Sequence, residues 1–223
     1  MARTNRVDVG GEIYHVLNRT NGRVKIFSSV TEYEHFEGLL LEGVALTGMR
    51  ILAYCIMPNH WHLVLQPKND GDLSAFMRWI TTTHVRQRRV VTKSVGSGHL
   101  YQGTYKSFLV ESDKHLVDLI RYVEQNPLRA TLVDKAEQWQ WSSLFRRKRG
   151  KVQDKKLLSP LPTSLPSNYR ASVNTILTAS QLQTIRQSIT KSAPYGSEVW
   201  SAKIVRQYHL ESTQRGQGRP KKR

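Results

Sequence analysis

A single cysteine, Cys55, stands in the whole chain, inside an apolar run, so no disulfide can close within it and no Cys-x-x-Cys metal site exists. That scarcity fits a reducing cytoplasm. Long apolar runs are missing as well. No stretch reaches the roughly 18 apolar residues that a membrane helix needs, and the opening MARTNRVDVGGEIYHVLNR lacks the apolar segment of a signal peptide. A membrane span and a secretory leader are therefore not expected. Acidic residues are also scarce, 17 against 34 Lys and Arg, which leaves a net charge of +17 and a pI near 10.2. A surplus of that size favours a polyanionic partner, nucleic acid before anionic membrane. What the chain does have is 39% hydrophobic residues in 223, enough for one domain with an appendage or for two small ones.

Hydrophobic periodicity orders the first part of the chain. EIYHVLNR alternates as a strand. TEYEHFEGLLLEGVALTG (31–48) has a Thr at the cap position, early acids and a closing Gly, the marks of a helix. RILAYCIM and HWHLVLQP form two strands joined at the Pro-Asn turn. Residues 72–91 make an amphipathic helix ending in basic residues, and 94–104 a Gly/Ser-rich loop. YKSFLVES is a strand, and 112–126 a capped helix stopped by Pro127. The order β-α-β-β-α-β-α begins as the split βαβ, ferredoxin-like arrangement, an α+β antiparallel sheet with helices on one face. Beyond it a basic, partly helical C-terminal extension is expected. The division is 1–145 as the core domain, 146–168 as a basic segment and Pro/Ser linker, and 169–223 as helices with a basic tail.

Within YCIMPNHWHLVLQP two imidazoles interrupt an apolar strand. Side chains alternate faces, so His60, His62, Val64 and Gln66 share one face while Trp61, Leu63 and Leu65 can enter the core from the other. Imidazoles two residues apart stand roughly 7 Å apart at the backbone and can converge on one divalent ion. Two imidazoles leave that site incomplete; a third ligand is required. Surface histidines at this spacing are the bland alternative. On the helix DLIRYVEQNPLRA, Leu116, Leu119, Ile120 and Val123 form the buried stripe, with Tyr122 on its flank and Asn126 one turn further. A hydroxyl nucleophile and an amide oxygen are thus offered together at a helix end.

Taken together, His60-Trp61-His62 preceded by MPN, Tyr122 four residues before Asn126 in RYVEQNPLRA, the opening YHVLNRTNGR, the YKSF strand and the WSSL segment resemble the single-tyrosine HUH transposases. The resemblance is greatest to their REP-associated branch and covers roughly residues 10–145. It implies the ferredoxin-like fold, Mg²⁺ or Mn²⁺ held by His60, His62 and Asn126, and Tyr122 as the nucleophile on a DNA phosphate. Gln125 is the rival third ligand; Tyr101 and Tyr105 are rival nucleophiles. The implied activity is a metal-dependent single-strand DNA endonuclease and strand transferase forming a 5′-phosphotyrosine. Its implied substrate is DNA with palindromic hairpins, and a monomer or homodimer is the expected assembly. A catalytically silent DNA- or RNA-binding protein on the same fold is the alternative.

The chemistry explains the residue types. Anionic phosphodiester oxygens repel nucleophiles, and a metal on a non-bridging oxygen withdraws that charge. A phenol ionises only at about pH 10, so assistance is needed, with proximity to the metal and to Arg121 or Lys106 as its expected source. The basic runs supply the DNA grip: Arg86, Arg88 and Arg89 at a helix end, Arg146, Arg147, Lys148 and Arg149 in RRKRGKVQDKK, and Arg215, Arg219, Lys221, Lys222 and Arg223 in the tail.

Overall fold

The structure is a computed structural model and describes residues 6–93, 98–149 and 157–215. Its strands are β1 (Ile13–Arg19), β2 (Arg50–Met57), β3 (His60–Gln66) and β4 (Lys106–Val110). They form one sheet in the order β2-β3-β1-β4, antiparallel throughout. With α1 (Val30–Thr47) between β1 and β2, and α2 (Asp72–Val91) between β3 and β4, this is the ferredoxin-like arrangement that the element order predicts.

Both crossover helices lie on one face. Phe36, Leu39 and Leu40 of α1 and Phe76, Met77 and Ile80 of α2 pack over Val16, Tyr54, Trp61, Leu63 and Leu65. The inward turn of Trp61, Leu63 and Leu65 follows from strand alternation. At Gly43 the two helices come so close that a β-carbon would sit 2.8 Å from the Phe76 ring, which is why no side chain stands there.

A second helical layer covers the opposite face. It begins with α3 (Lys114–Glu124), whose Leu116, Leu119, Ile120 and Val123 meet Leu52, Ala53, Cys55 and Val64. The helix continues, after a one-residue break, as α4 (Asn126–Arg129). Pro127 therefore does not stop the helical path as expected. It occupies the first turn of α4, where its missing N–H has no intrahelical partner to lose. The start of α1 also differs from the expected Thr31. Ser29 caps it, accepting from the Glu32 N–H at 3.3 Å, while the Glu32 carboxylate accepts from the Ser29 N–H at 3.2 Å.

The WSSL segment adds to the β2 edge, with the Ile56 N–H donating to the Trp141 carbonyl at 2.9 Å, and leads into α5 (Ser143–Arg149). Three further helices follow: α6 (Tyr169–Asn174), α7 (Ala179–Lys191) and α8 (Glu198–Gln207). They contribute to both cores. Tyr169, Val173 and Ile185 join the α3 side; Ile204, Val205 and Leu210 join the α1/α2 side. Tyr195 bridges the backbone of β4, closing part of that edge. No described helix is long and apolar enough to cross a membrane.

His84 and His15 are both buried as neutral rings. Burial pushes His84 of α2 down from 6.5 to about 3, the charges of Arg88 and His35 adding to it, and burial alone takes His15 of β1 to about 3. Below about pH 6.5 the unfolded chain takes up protons that these rings refuse in the fold. Stability should therefore fall as pH drops from about 6.5 towards 3, beginning well above the carboxylate range. Thermal melting at neutral pH and at about pH 5 checks this. A melting temperature that holds until carboxylates titrate would contradict it.

Candidate active site

His60 and His62 point from β3 towards the α3 layer, their ring centroids 5.1 Å apart and nearly perpendicular. The side-chain hydrogen bonds decide which nitrogens are free. The Asn59 amide donates to the Arg23 carbonyl at 3.1 Å, which leaves its Oδ1 as the acceptor 2.7 Å from His60 Nδ1. His60 must then carry its proton on Nδ1 and present a lone pair on Nε2. Nδ1 of His62 lies 2.9 Å from Nε2 of His15, and the two rings stack at 5.1 Å. Ligation through His62 Nε2 requires His62 Nδ1 to donate to His15, which places the His15 proton on a buried Nδ1 with no hydrogen-bond partner. Burial lowers His60 to about 4, with the charges of Arg19 and Arg129 adding to it. Burial also holds His62 well below its ordinary value, helped by His60, His15 and Arg129. Both rings are neutral at pH 7, the form that binds a metal.

Tyr122 is almost fully buried in the same layer, its ring perpendicular to that of His62 with centroids 6.0 Å apart. The Asn126 amide donates to the Tyr122 and Val123 carbonyls, each at 3.1 Å, which leaves its Oδ1 as an acceptor. Asn126 and His60 line one cavity of about 630 Å³ with Met57, Arg129, Asn174 and Arg186. Gln125 turns to the other flank and donates to the Val173 and Thr175 carbonyls at 2.8 and 2.7 Å. The donor set His60 Nε2, His62 Nε2 and Asn126 Oδ1 suits a divalent ion. The rival phenols lie across the sheet. Tyr101 Oη accepts from Trp61 Nε1 at 3.1 Å and sits 2.7 Å from His84 Nδ1, while the Tyr105 hydroxyl is buried among the α1/α2 residues.

Sequence reasoning missed His15 and Arg129. His15 pairs opposite Val64, diagonal to His62, a relation visible only once the register is fixed. Arg129 places its guanidinium 4.2 Å above the Tyr122 ring and donates to Asn126 Oδ1 at 2.7 Å. The spacing 122, 126, 129 is that of one helix face, a signal that Pro127 hid. The expected helper Arg121 donates instead to the Thr175 carbonyl at 2.7 Å, and Lys106 is exposed on β4.

The basic residues divide. Arg146 pairs with Glu37, and Arg147 with Glu124 and the Leu52 carbonyl. This corrects the expectation that the whole run faces DNA, because buried carboxylates draw these two inward. Arg88 pairs with Glu32 at 2.5 Å. Lys148 and Arg149 are exposed, as is Arg215. Arg86 and Arg89 line a groove of about 1050 Å³ between α2 and residues 99–105, together with Arg6, Arg78 and Tyr105. Arg219, Lys221, Lys222 and Arg223 lie outside the described residues. Among the described residues Glu111, Asp113 and His115 also cluster, but Glu111 accepts from Ser197 and Asp113 caps α3.

Comparison with known proteins bears on the fold and on the residues around this site. A Haemophilus influenzae protein provisionally named a REP-associated tyrosine transposase is 26% identical over 103 residues, 43% of this chain. The match spans 58% of that relative's length. The solved structure of a REP-associated tyrosine transposase bound to a REP hairpin shares the fold, with a TM-score of 0.56 at 18% identity, covering 80% of this chain and 96% of that one. The sequence pattern of the family described as IS200-like transposase matches residues 9–126, which runs from the approach to β1 through the whole sheet to Asn126. That span is more than half of the chain and contains both histidines of β3 and Tyr122, and the chain belongs to the IS200-like transposase family.

Proposed function

We propose that the chain is a metal-dependent transposase that cuts and rejoins single-stranded DNA carrying palindromic hairpins through a 5′-phosphotyrosine. The observation that carries this reading is the convergence of His60, His62, Tyr122 and Asn126 on one side of the sheet, beneath α3 and α4. His60 Nε2, His62 Nε2 and Asn126 Oδ1 would hold Mg²⁺ or Mn²⁺. When bound, the ion supplies charge withdrawal at a non-bridging phosphate oxygen. Three neutral ligands add no charge, so affinity should be weak until DNA phosphate joins, and Mn²⁺ should bind better than Mg²⁺.

Tyr122 Oη attacks phosphorus and the P–O3′ bond breaks. The phenolic proton passes, through solvent, to the leaving 3′ oxygen, giving a free 3′-OH and a tyrosine ester of the 5′ phosphate. One phosphodiester replaces another, so rejoining needs no ATP. The groove bearing Arg86 and Arg89, the exposed Lys106, Lys148 and Arg149, and the tail from Arg215 are the proposed phosphate contacts. In this reading residues 1–145 carry the chemistry, and 146–168 and 169–223 serve DNA binding. Assembly as a monomer or homodimer in the cytoplasm completes it.

The test is cleavage of a hairpin-bearing single strand with Mg²⁺, with Mn²⁺ and with EDTA. Cleavage is expected with either metal and not with EDTA. His60→Ala or His62→Ala should reduce it about 10²-fold or more, with partial rescue by Mn²⁺ at best. Wild-type cleavage in EDTA, or by either variant, would leave the pair as structural histidines that hold no metal. DNA binding without any cleavage would favour a silent binding module.

A further inference from the structure

Three inward-facing arginines of this fold are matched to carboxylates. Arg88 meets Glu32, Arg146 meets Glu37 and Arg147 meets Glu124. Among the described residues Arg129 has no carboxylate partner. One of its nitrogens donates to Asn126 Oδ1 at 2.7 Å, its carbon lies 4.2 Å from the centre of the Tyr122 ring, and Nη1 is buried without an acceptor. The cavity it lines with His60 and Asn126 holds a second cation, Arg186 of α7, and no Asp or Glu. A half-buried cation without a counter-ion is costly, and the cost is removed when an anion enters.

We propose that Arg129 is the fixed counter-charge for a DNA phosphate in the Tyr122 site, and that its guanidinium keeps metal affinity low until that phosphate arrives. The inference rests on the proposed function and deepens it. Arg129 donates to the same Asn126 oxygen that would ligate the ion. A divalent ion added there without DNA meets a fixed positive charge across one shared oxygen, and like charges at that range repel. A phosphate between them reverses the sign of both interactions. Metal and DNA then bind cooperatively, each raising the other's affinity by the same factor. The two positive residues of the cavity come from different parts of the chain, Arg129 from α4 and Arg186 from the C-terminal extension, so the extension takes part in charging the site.

The experiment is a Mn²⁺ titration followed by electron paramagnetic resonance on the full chain, with and without hairpin DNA, in a Tyr122→Phe background that cannot cleave. The chain with Arg129 should bind Mn²⁺ weakly alone and about tenfold or more tightly with DNA. Arg129→Gln should bind Mn²⁺ more tightly alone, by roughly three- to tenfold, and lose most of the gain from DNA. Arg129→Lys keeps the charge and should stay close to the parent in the DNA-free titration, which also guards against a folding defect in the Gln variant. Equal DNA-free affinities and equal DNA gains in the Arg and Gln chains would overturn the proposal while leaving the metal site standing. Weaker Mn²⁺ binding by Arg129→Gln alone would overturn it in favour of a residue that only positions Asn126. A parent chain that binds no Mn²⁺ in either condition would overturn both this inference and the metal-dependent reading beneath it.

Discussion

Tyr122→Phe should still bind hairpin DNA and should form no covalent adduct with it. The substitution removes one hydroxyl and no charge. The ring keeps its place, because its contacts are made by carbon: the perpendicular approach to His62 at 6.0 Å and the guanidinium of Arg129 at 4.2 Å. Folding and DNA affinity are accordingly expected to stay within a few tenths of a kcal/mol of the parent, as for a substitution that removes no packing. The covalent step should be lost, since the Tyr122 hydroxyl is the group proposed to attack phosphorus. Loss of a nucleophile costs on the order of 10⁴-fold or more in rate. Denaturing gels with end-labelled DNA report the adduct directly. Adducts persisting in the variant would move the nucleophile to Tyr101 or Tyr105, and that would demand a rearrangement. Tyr101 Oη is engaged by Trp61 and His84 on the far side of the sheet, and the Tyr105 hydroxyl is buried there too.

The central part of this site is legible in the sequence because it is local. Strand alternation alone separates His60 and His62 from Trp61, Leu63 and Leu65, and helix spacing alone sets Asn126 one turn after Tyr122. The sheet order follows from the element order for a similar reason, since few chain paths join β-α-β-β-α-β compactly. What stayed hidden depends on contacts between distant segments. His15 reaches His62 only through the pairing of β1 with β3. The second helical layer appears only when α3 is known to cross to the face opposite α1 and α2. Arg129 was hidden behind Pro127, which ends most helices that precede it but here sits in the first turn of the next one. Charge runs were the least legible. RRKR looks uniform in sequence, but partners at Glu37 and Glu124 divide it into inward and outward pairs.

That division leads to a large expected effect on stability, at Glu124. Its side chain is fully buried at the end of α3. Ser143 Oγ donates to one carboxylate oxygen at 2.5 Å, and Arg147 donates to the same oxygen. Tyr169 Oη donates to the other at 2.7 Å. One carboxylate thereby joins α3, α5 and α6, and the last of these belongs to the C-terminal extension. Glu124→Ala would leave the Arg147 guanidinium and the Tyr169 hydroxyl without their acceptor in a buried setting. Breaking one side of a buried pair costs about 3–5 kcal/mol. Glu124→Gln keeps an acceptor for Tyr169 and should cost less, about 1–3 kcal/mol. Pairing Glu124→Leu with Arg147→Met removes both charges and should recover much of the loss, because an apolar pair avoids the desolvation of two ions. Urea unfolding followed by circular dichroism measures all three. The effect should reach function as well, since Glu124 lies two residues from both Tyr122 and Asn126, on the helix end that orients them. A loss below about 1 kcal/mol in Glu124→Ala would mean that Arg147 is solvated like an ordinary surface cation, and Arg147 would then be free to meet DNA beside Lys148 and Arg149.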